Sequence, residues 1–157
     1  MTAAEPSTSN LPALQLVAQY LKDLSFENLR TGKLAKRSFK PMGLELRTLV
    51  TVTDLGDGLH ESELFMGVTG KIEDQQALIA EMTYAAVYRI SGLDPDMARS
   101  FLNVEAPRLA YPHAAALLTQ ASAGAGLPPL WLEPLDFSLL YNVRQQEAAR
   151  AGAGTTS

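Results

Sequence analysis

The chain has 157 residues, 46% of them hydrophobic and 19% charged, with a net charge of −4 and no cysteine. That size and composition suit one globular domain with a core of its own. They exclude disulfides and thiolate metal sites, and an acidic chain is a poor generic nucleic-acid binder.

Residues 1–12 and 151–157 lack the apolar content that would offset their ordering entropy, and they read as tails around one domain over residues 13–150. The first ten residues have neither the basic nor the apolar region of a secretory signal. No apolar run approaches the ~20 residues that span a bilayer. The expectation is a protein without membrane insertion that stays in the cytoplasm, and the missing cysteine suits a reducing compartment.

Leu14 to Phe26 alternates with period two, which predicts a half-buried strand. Leu14, Leu16, Ala18, Tyr20, Leu24 and Phe26 share one parity, interrupted by Lys22; Gln15, Gln19, Asp23, Ser25 and Glu27 hold the other. Asn28 to Pro41 is a long connection with a basic run at Arg30, Lys33, Lys36, Arg37 and Lys40. Connections of this length tend to be functional or mobile.

A second strand is expected over Met42–Thr53, with Met42, Leu44, Leu46, Val50 and Val52 inward. Asp54–Gly58 is a glycine-bearing turn. A third strand covers Glu61–Ile72, with Leu64, Met66, Val68 and Ile72 on one face. Glu73-Asp74 turns the chain into a fourth, Gln76–Ile90, with Leu78 to Ile90 at every second position on one face. Short turns between strands two, three and four imply an antiparallel meander. The long connection implies that the first strand is not the hairpin neighbour of the second.

The period then becomes helical. Asp94-Pro95 is an N-cap followed by a proline at the first helical position, opening a short helix to about Leu102. A second start at Glu105-Ala-Pro107 opens a long helix to about Ser122, with a kink expected at Pro112 and a stop at Gly124 and Gly126. A proline-rich connector, Leu127–Pro134, carries the single tryptophan, Trp131. Asp136 caps a last helix to about Ala149, on which Phe137, Leu140, Tyr141 and Arg144 follow i, i+3, i+4, i+7. Four strands followed by helices predict an α+β fold: a four-stranded antiparallel sheet with the C-terminal helices packed on one face.

Few residues suggest chemistry. His60 and His113 have no second ligand at metal spacing. There is no G-x-S-x-G elbow or P-loop, and Gly56 and Gly58 are explained by a turn. The strand carboxylates Asp23, Glu27, Glu61, Glu63 and Glu81 read as a solvated sheet face. The expectation is no enzyme, no metal and no cofactor.

Three segments carry a family resemblance: Tyr20-Leu-Lys-Asp-Leu-Ser-Phe-Glu-Asn28, then Ala77–Tyr88, then Glu105-Ala-Pro with Tyr111-Pro and Leu127-Pro-Pro-Leu-Trp-Leu-Glu-Pro-Leu-Asp-Phe-Ser-Leu-Leu-Tyr141. In this order, over nearly the whole folded chain, they resemble the SecB family of protein-export chaperones. The resemblance implies a four-stranded sheet with helices behind it and a homotetramer built as a dimer of dimers, with long helices between the dimers. It also implies a cofactor-free chaperone that holds unfolded secretory preproteins in apolar grooves and delivers them to the ATPase SecA.

The positions that match the family's SecA contact are Asp23, Glu27, Ile79 and Glu81. Parity agrees, because Asp23 and Glu27 share a face about 13 Å apart at the strand rise. The matching client groove comprises Phe39, Met42, Leu44, Trp131, Phe137, Leu140 and Tyr141. The chain departs from the family in its basic crossover, in the missing Arg after Tyr111-Pro, and in its neutral C-terminal tail. Two alternatives stand beside the export reading: a SecB-like chaperone dedicated to one partner, such as an antitoxin, and a small-ligand-binding domain or enzyme with a closed polar pocket.

Overall fold

A computed structural model describes residues 12–30 and 41–154. Four strands, β1 (Ala13–Asn28), β2 (Gly43–Gly56), β3 (Leu59–Ile72) and β4 (Gln75–Ser91), form one antiparallel sheet in the order β1-β4-β3-β2. The meander and the displaced first strand agree with the sequence, and β1 closes on the far side of β4. The basic connection between β1 and β2 falls mostly on residues 31–40, outside the described residues, as do residues 1–11 and 155–157.

Two tight turns join the meander. Gly56, Asp57 and Gly58 all have positive φ between β2 and β3. Glu73 and Asp74 have φ of 51° and 64°, the paired left-handed geometry that matches the twist of a two-residue hairpin.

One face of the sheet is covered by helices: α1 (Pro95–Ser100), a π-helical turn (Phe101–Glu105), α2 (Ala106–Gly124) and α3 (Phe137–Ala153). The core lies between. Leu64, Met66 and Val68 of β3 and Leu78, Ala80, Met82 and Tyr84 of β4 meet Ala110, Tyr111, Ala114 and Leu118 of α2. The alternation expected in β2, β3 and β4 is therefore the alternation observed. Alanines on both sides let the helix approach closely.

The structure differs from expectation in three places. First, β1 carries irregularities between Leu16 and Ala18 and between Leu21 and Asp23. Each inserts a residue and reverses the faces that follow. Tyr20, whose parity groups it with the inward leucines, stands opposite Ala85 and lies on the outer face. Second, the two helix starts at Pro95 and Glu105 merge into one path through the π-helical turn. Such a turn frees a backbone carbonyl, and the buried Ser62 hydroxyl donates to Leu102 O at 2.8 Å. Pro112 lies inside α2. Third, α3 continues to Ala153, into the stretch whose composition suggests a tail.

The two N-caps are as expected. Asp94 accepts from Asp96 N and Asp136 from Leu139 N. Between α2 and α3, the connector has no secondary structure of its own. Three hydroxyls of α2 hold it: Tyr111 donates to Glu133 O, Thr119 to Leu130 O and Ser122 to Pro128 O. Leu127 and Leu130 then seal the core, and the next residues form the wall of a groove.

Candidate functional site

The outer, helix-free face of the sheet forms the first surface. In the β1–β4 ladder, Asp23 stands opposite Thr83, Ser25 opposite Glu81, and Glu27 opposite Ile79. Asp23, Glu27 and Glu81 thus surround Ser25, with Ile79 beside Glu27. Diagonal neighbours in such a ladder are about 7–8 Å apart. The three carboxylates are exposed and Ile79 is half-buried. All four residues that the sequence groups together fall on one patch.

The patch continues toward β2 as an open cleft lined by Glu45, Arg47, Gly67, Thr69, Ile79 and Glu81. Phe65 borders it, with the Arg47 guanidinium 5.4 Å from its ring centre.

Beside the patch is a polar cluster that sequence parity conceals. Tyr20 OH donates to Glu61, and Lys22 Nζ bonds Glu61 at 3.0 Å and Glu63 as well. These contacts pass from β1 to β3 over the intervening β4. They fit because Ala85, opposite both Tyr20 and Glu63, is small and fully covered. The Tyr20 hydrogen bond is the main influence holding the Glu61 carboxyl below its ordinary range, against the opposing effect of burial and with help from Lys22. The same bond raises the Tyr20 hydroxyl, and Glu63 and Glu61 raise Lys22.

The second surface follows the helix-side margin of the edge strand β2. One open cleft is formed by Met42, Leu44 and Leu46 against Trp131, Leu132 and Leu135. A second, farther along the strand, sets Thr48 and Val50 against Phe137, Leu140, Tyr141 and Arg144. Arg144 donates to Thr48 O, clasping α3 to the strand.

The expected groove residues therefore divide. Met42, Leu44 and Trp131 share one cleft, and Phe137, Leu140 and Tyr141 share the other. Phe39 lies outside the described residues. Trp131 is 82% exposed, whereas Phe137 is 3% exposed and packs edge-on against Tyr111 at 5.9 Å. Phe137 is thus a core residue that also floors the cleft. Leu46, Leu132 and Leu135 are lining residues that the sequence reading missed. Leu46 alternates with Leu44, and that signal was available.

Both histidines lie apart from these surfaces. His60 borders an open cleft at the end of the sheet with Asp54 and Arg99, and His113 stacks on Tyr84 at 6.5 Å. The clefts at β2 are open and mix aliphatic and aromatic side chains with polar ones such as Thr48 and Arg144, an arrangement suited to an extended chain that offers apolar side chains and backbone groups together.

Comparison with known proteins shows the family and the fold. Residues 7–148 match the family model of SecB, preprotein translocase subunit SecB. The protein-export protein SecB of Afipia carboxidovorans is 35% identical over 96% of this chain and 92% of its own length. That of Rhodopseudomonas palustris is 36% identical over 96% and 93%. Among solved structures, the Mycobacterium tuberculosis Rv1957 SecB-like chaperone, in complex with a ChAD peptide from the HigA1 antitoxin, is similar with a TM-score of 0.67. The similarity covers 78% of this chain and 90% of that one at 16% identity, a likeness of fold. From an unbroken family match, near-full-length relatives and a shared architecture, the chain belongs to the SecB family of protein-export chaperones.

Proposed function

We propose that this chain works as a homotetrameric cytoplasmic holdase that binds unfolded secretory preproteins along β2 and hands them to SecA through the acidic outer face of β1 and β4. The apolar margin of β2, with Trp131 82% exposed beside Met42, Leu44 and Leu46, is the observation that carries the client half of this reading. An unfolded preprotein exposes apolar side chains, and covering them yields roughly 25 cal/mol per Å². Open clefts without convergent ionisable groups favour many weak contacts over one tight fit, and several subunits add those contacts through effective concentration.

Assembly is supported by surfaces that one subunit leaves wet. The edge strand β1 carries Leu14, Leu16, Val17, Tyr20, Leu21 and Leu24, each more than a third exposed. Long apolar edges of this kind are normally covered. The exposed side of α2 presents Leu109, Pro112 and Ala116, small or apolar residues that permit close helix packing.

Docking to SecA is supported by the grouping of Asp23, Glu27, Ile79 and Glu81 on one patch. Charge complementarity of this kind steers association and sets its salt dependence. Reversing the charge at Asp23, Glu27 and Glu81 together is expected to weaken SecA binding by at least tenfold, from the loss of three steering charges. Suppression of client aggregation should persist, because β2 lies across the sheet. Unchanged SecA affinity in the triple variant would remove the docking assignment.

A chaperone reserved for one partner has less support. The solved SecB-like protein that holds an antitoxin peptide shares 16% identity with this chain, whereas the protein-export relatives share about twice that. Binding of several unrelated unfolded preproteins separates the two readings.

A further inference from the structure

The carboxylates of the outer face are not equally available. Among the described residues, Asp23 and Glu27 have no ion-pair partner. Glu81 is different. Arg47 on β2 stands opposite Gly67 on β3, and Gly67 stands opposite Glu81 on β4, so the three form one row across the face. A side chain on the middle strand would keep the outer two apart. Gly67 has none, and a Cβ placed there would lie 3.4 Å from Arg47 Nη2 and 3.6 Å from Nε.

The guanidinium therefore lies over the glycine. Arg47 Nη2 reaches within 3.6 Å of Glu81 Oε1, and the group sits 5.4 Å from the Phe65 ring centre. Stacking on the ring keeps the cation local. The side chains of Arg47 and Glu81 are 74% and 54% exposed, so water screens the pair and another cation can displace Arg47 without breaking the fold.

We propose that Arg47, seated in the slot left by Gly67, is an intramolecular competitor for Glu81 that sets how tightly the outer face binds a cationic partner surface. The inference rests on the reading that this face docks SecA. A partner cation that pairs with Glu81 must first lift Arg47 away, whereas Asp23 and Glu27 have no such competitor among the described residues. Docking then begins at β1 and is completed at β4. Arg47 also places a like charge beside the partner's cations, and this acts in the same direction.

The test is SecA binding by the full chain at low and high salt, for the parent, Arg47→Gln, Glu81→Gln and the double variant. Arg47→Gln is expected to tighten binding about two- to fivefold at low salt, the scale of one exposed charge pair. Salt should shrink the gain. Combined with Glu81→Gln, the Arg47 substitution should lose most of its effect, because the competed group is gone. Arg47→Lys keeps the charge without the planar guanidinium over Phe65 and should fall between parent and Arg47→Gln.

If Glu81→Gln weakens SecA binding but Arg47→Gln leaves it unchanged or weaker, the competition is overturned and the docking face stands. If Arg47→Gln tightens binding equally with and without Glu81, general repulsion replaces competition. If Glu81→Gln and the triple charge reversal both leave binding unchanged, the docking reading fails and this inference fails with it.

Discussion

Glu61 shows how much one residue depends on its neighbours. It is 7% exposed on the helix-free face of the sheet, opposite the buried Val87, and it is held ionised by Tyr20 and Lys22 from two strands away. A carboxyl depressed in the folded state stabilises the fold above the ordinary carboxylate range and loses that contribution as pH falls through its folded value. The urea midpoint of the parent should therefore fall as pH drops from neutral to below about pH 4. In Tyr20→Phe part of that fall should be missing, and at neutral pH the variant should be less stable by about 1 kcal/mol. Equal pH dependence in both proteins would mean that the Tyr20 contact does not hold Glu61. This cluster was not legible in the sequence. Tyr20 shares parity with Leu14 and Leu16, and only the extra residues in β1 turn it outward. Asp94 and Asp136 were legible, because a helix cap depends on a few adjacent residues.

At the scale of elements, local signals read well and long-range ones did not. The inward faces of β2, β3 and β4 followed from period-two alternation, and the turn at Glu73-Asp74 from its position between two alternating runs. The turn also carries strain that can be relieved. Asp74 has φ of 64° without being glycine, and glycine adopts that geometry without a Cβ penalty. Asp74→Gly is expected to raise stability by about 0.5–1 kcal/mol, read as a higher urea midpoint at unchanged slope. A lower midpoint would show that the aspartate contributes more than the strain removes. The bulges of β1 and the π-helical turn at Phe101–Glu105 had no comparable signature. Both are settled by what the segment meets: β4 for the first, and Ser62 and the sheet beneath for the second. The groove was partly legible for the same reason. The apolar stripe of α3 followed from helical spacing and its place in a groove from the family resemblance, whereas the connector is placed by hydroxyls of α2, which no local pattern announces.

For the whole molecule, a sheet covered on one face by helices leaves an apolar edge at β1, an apolar margin at β2 and a charged outer face between them. The family could be read from sequence because three separated motifs fall in order along almost the entire chain, and the α+β class and the meander of β2, β3 and β4 from periodicity and short turns; the pairing of β1 with β4 could not. Nor could the side chains that the β1 bulges and Gly67 uncover, since those depend on pairing between strands distant in the chain. The proposed assembly captures unfolded preprotein and keeps it in solution. Light-scattering mass of the purified chain, alone and after addition of a chemically unfolded preprotein, tests it most directly. A tetrameric holdase gives a mass near four subunits that increases by one client with unfolded preprotein and does not change with the folded form. A monomer that leaves the client to aggregate would contradict it.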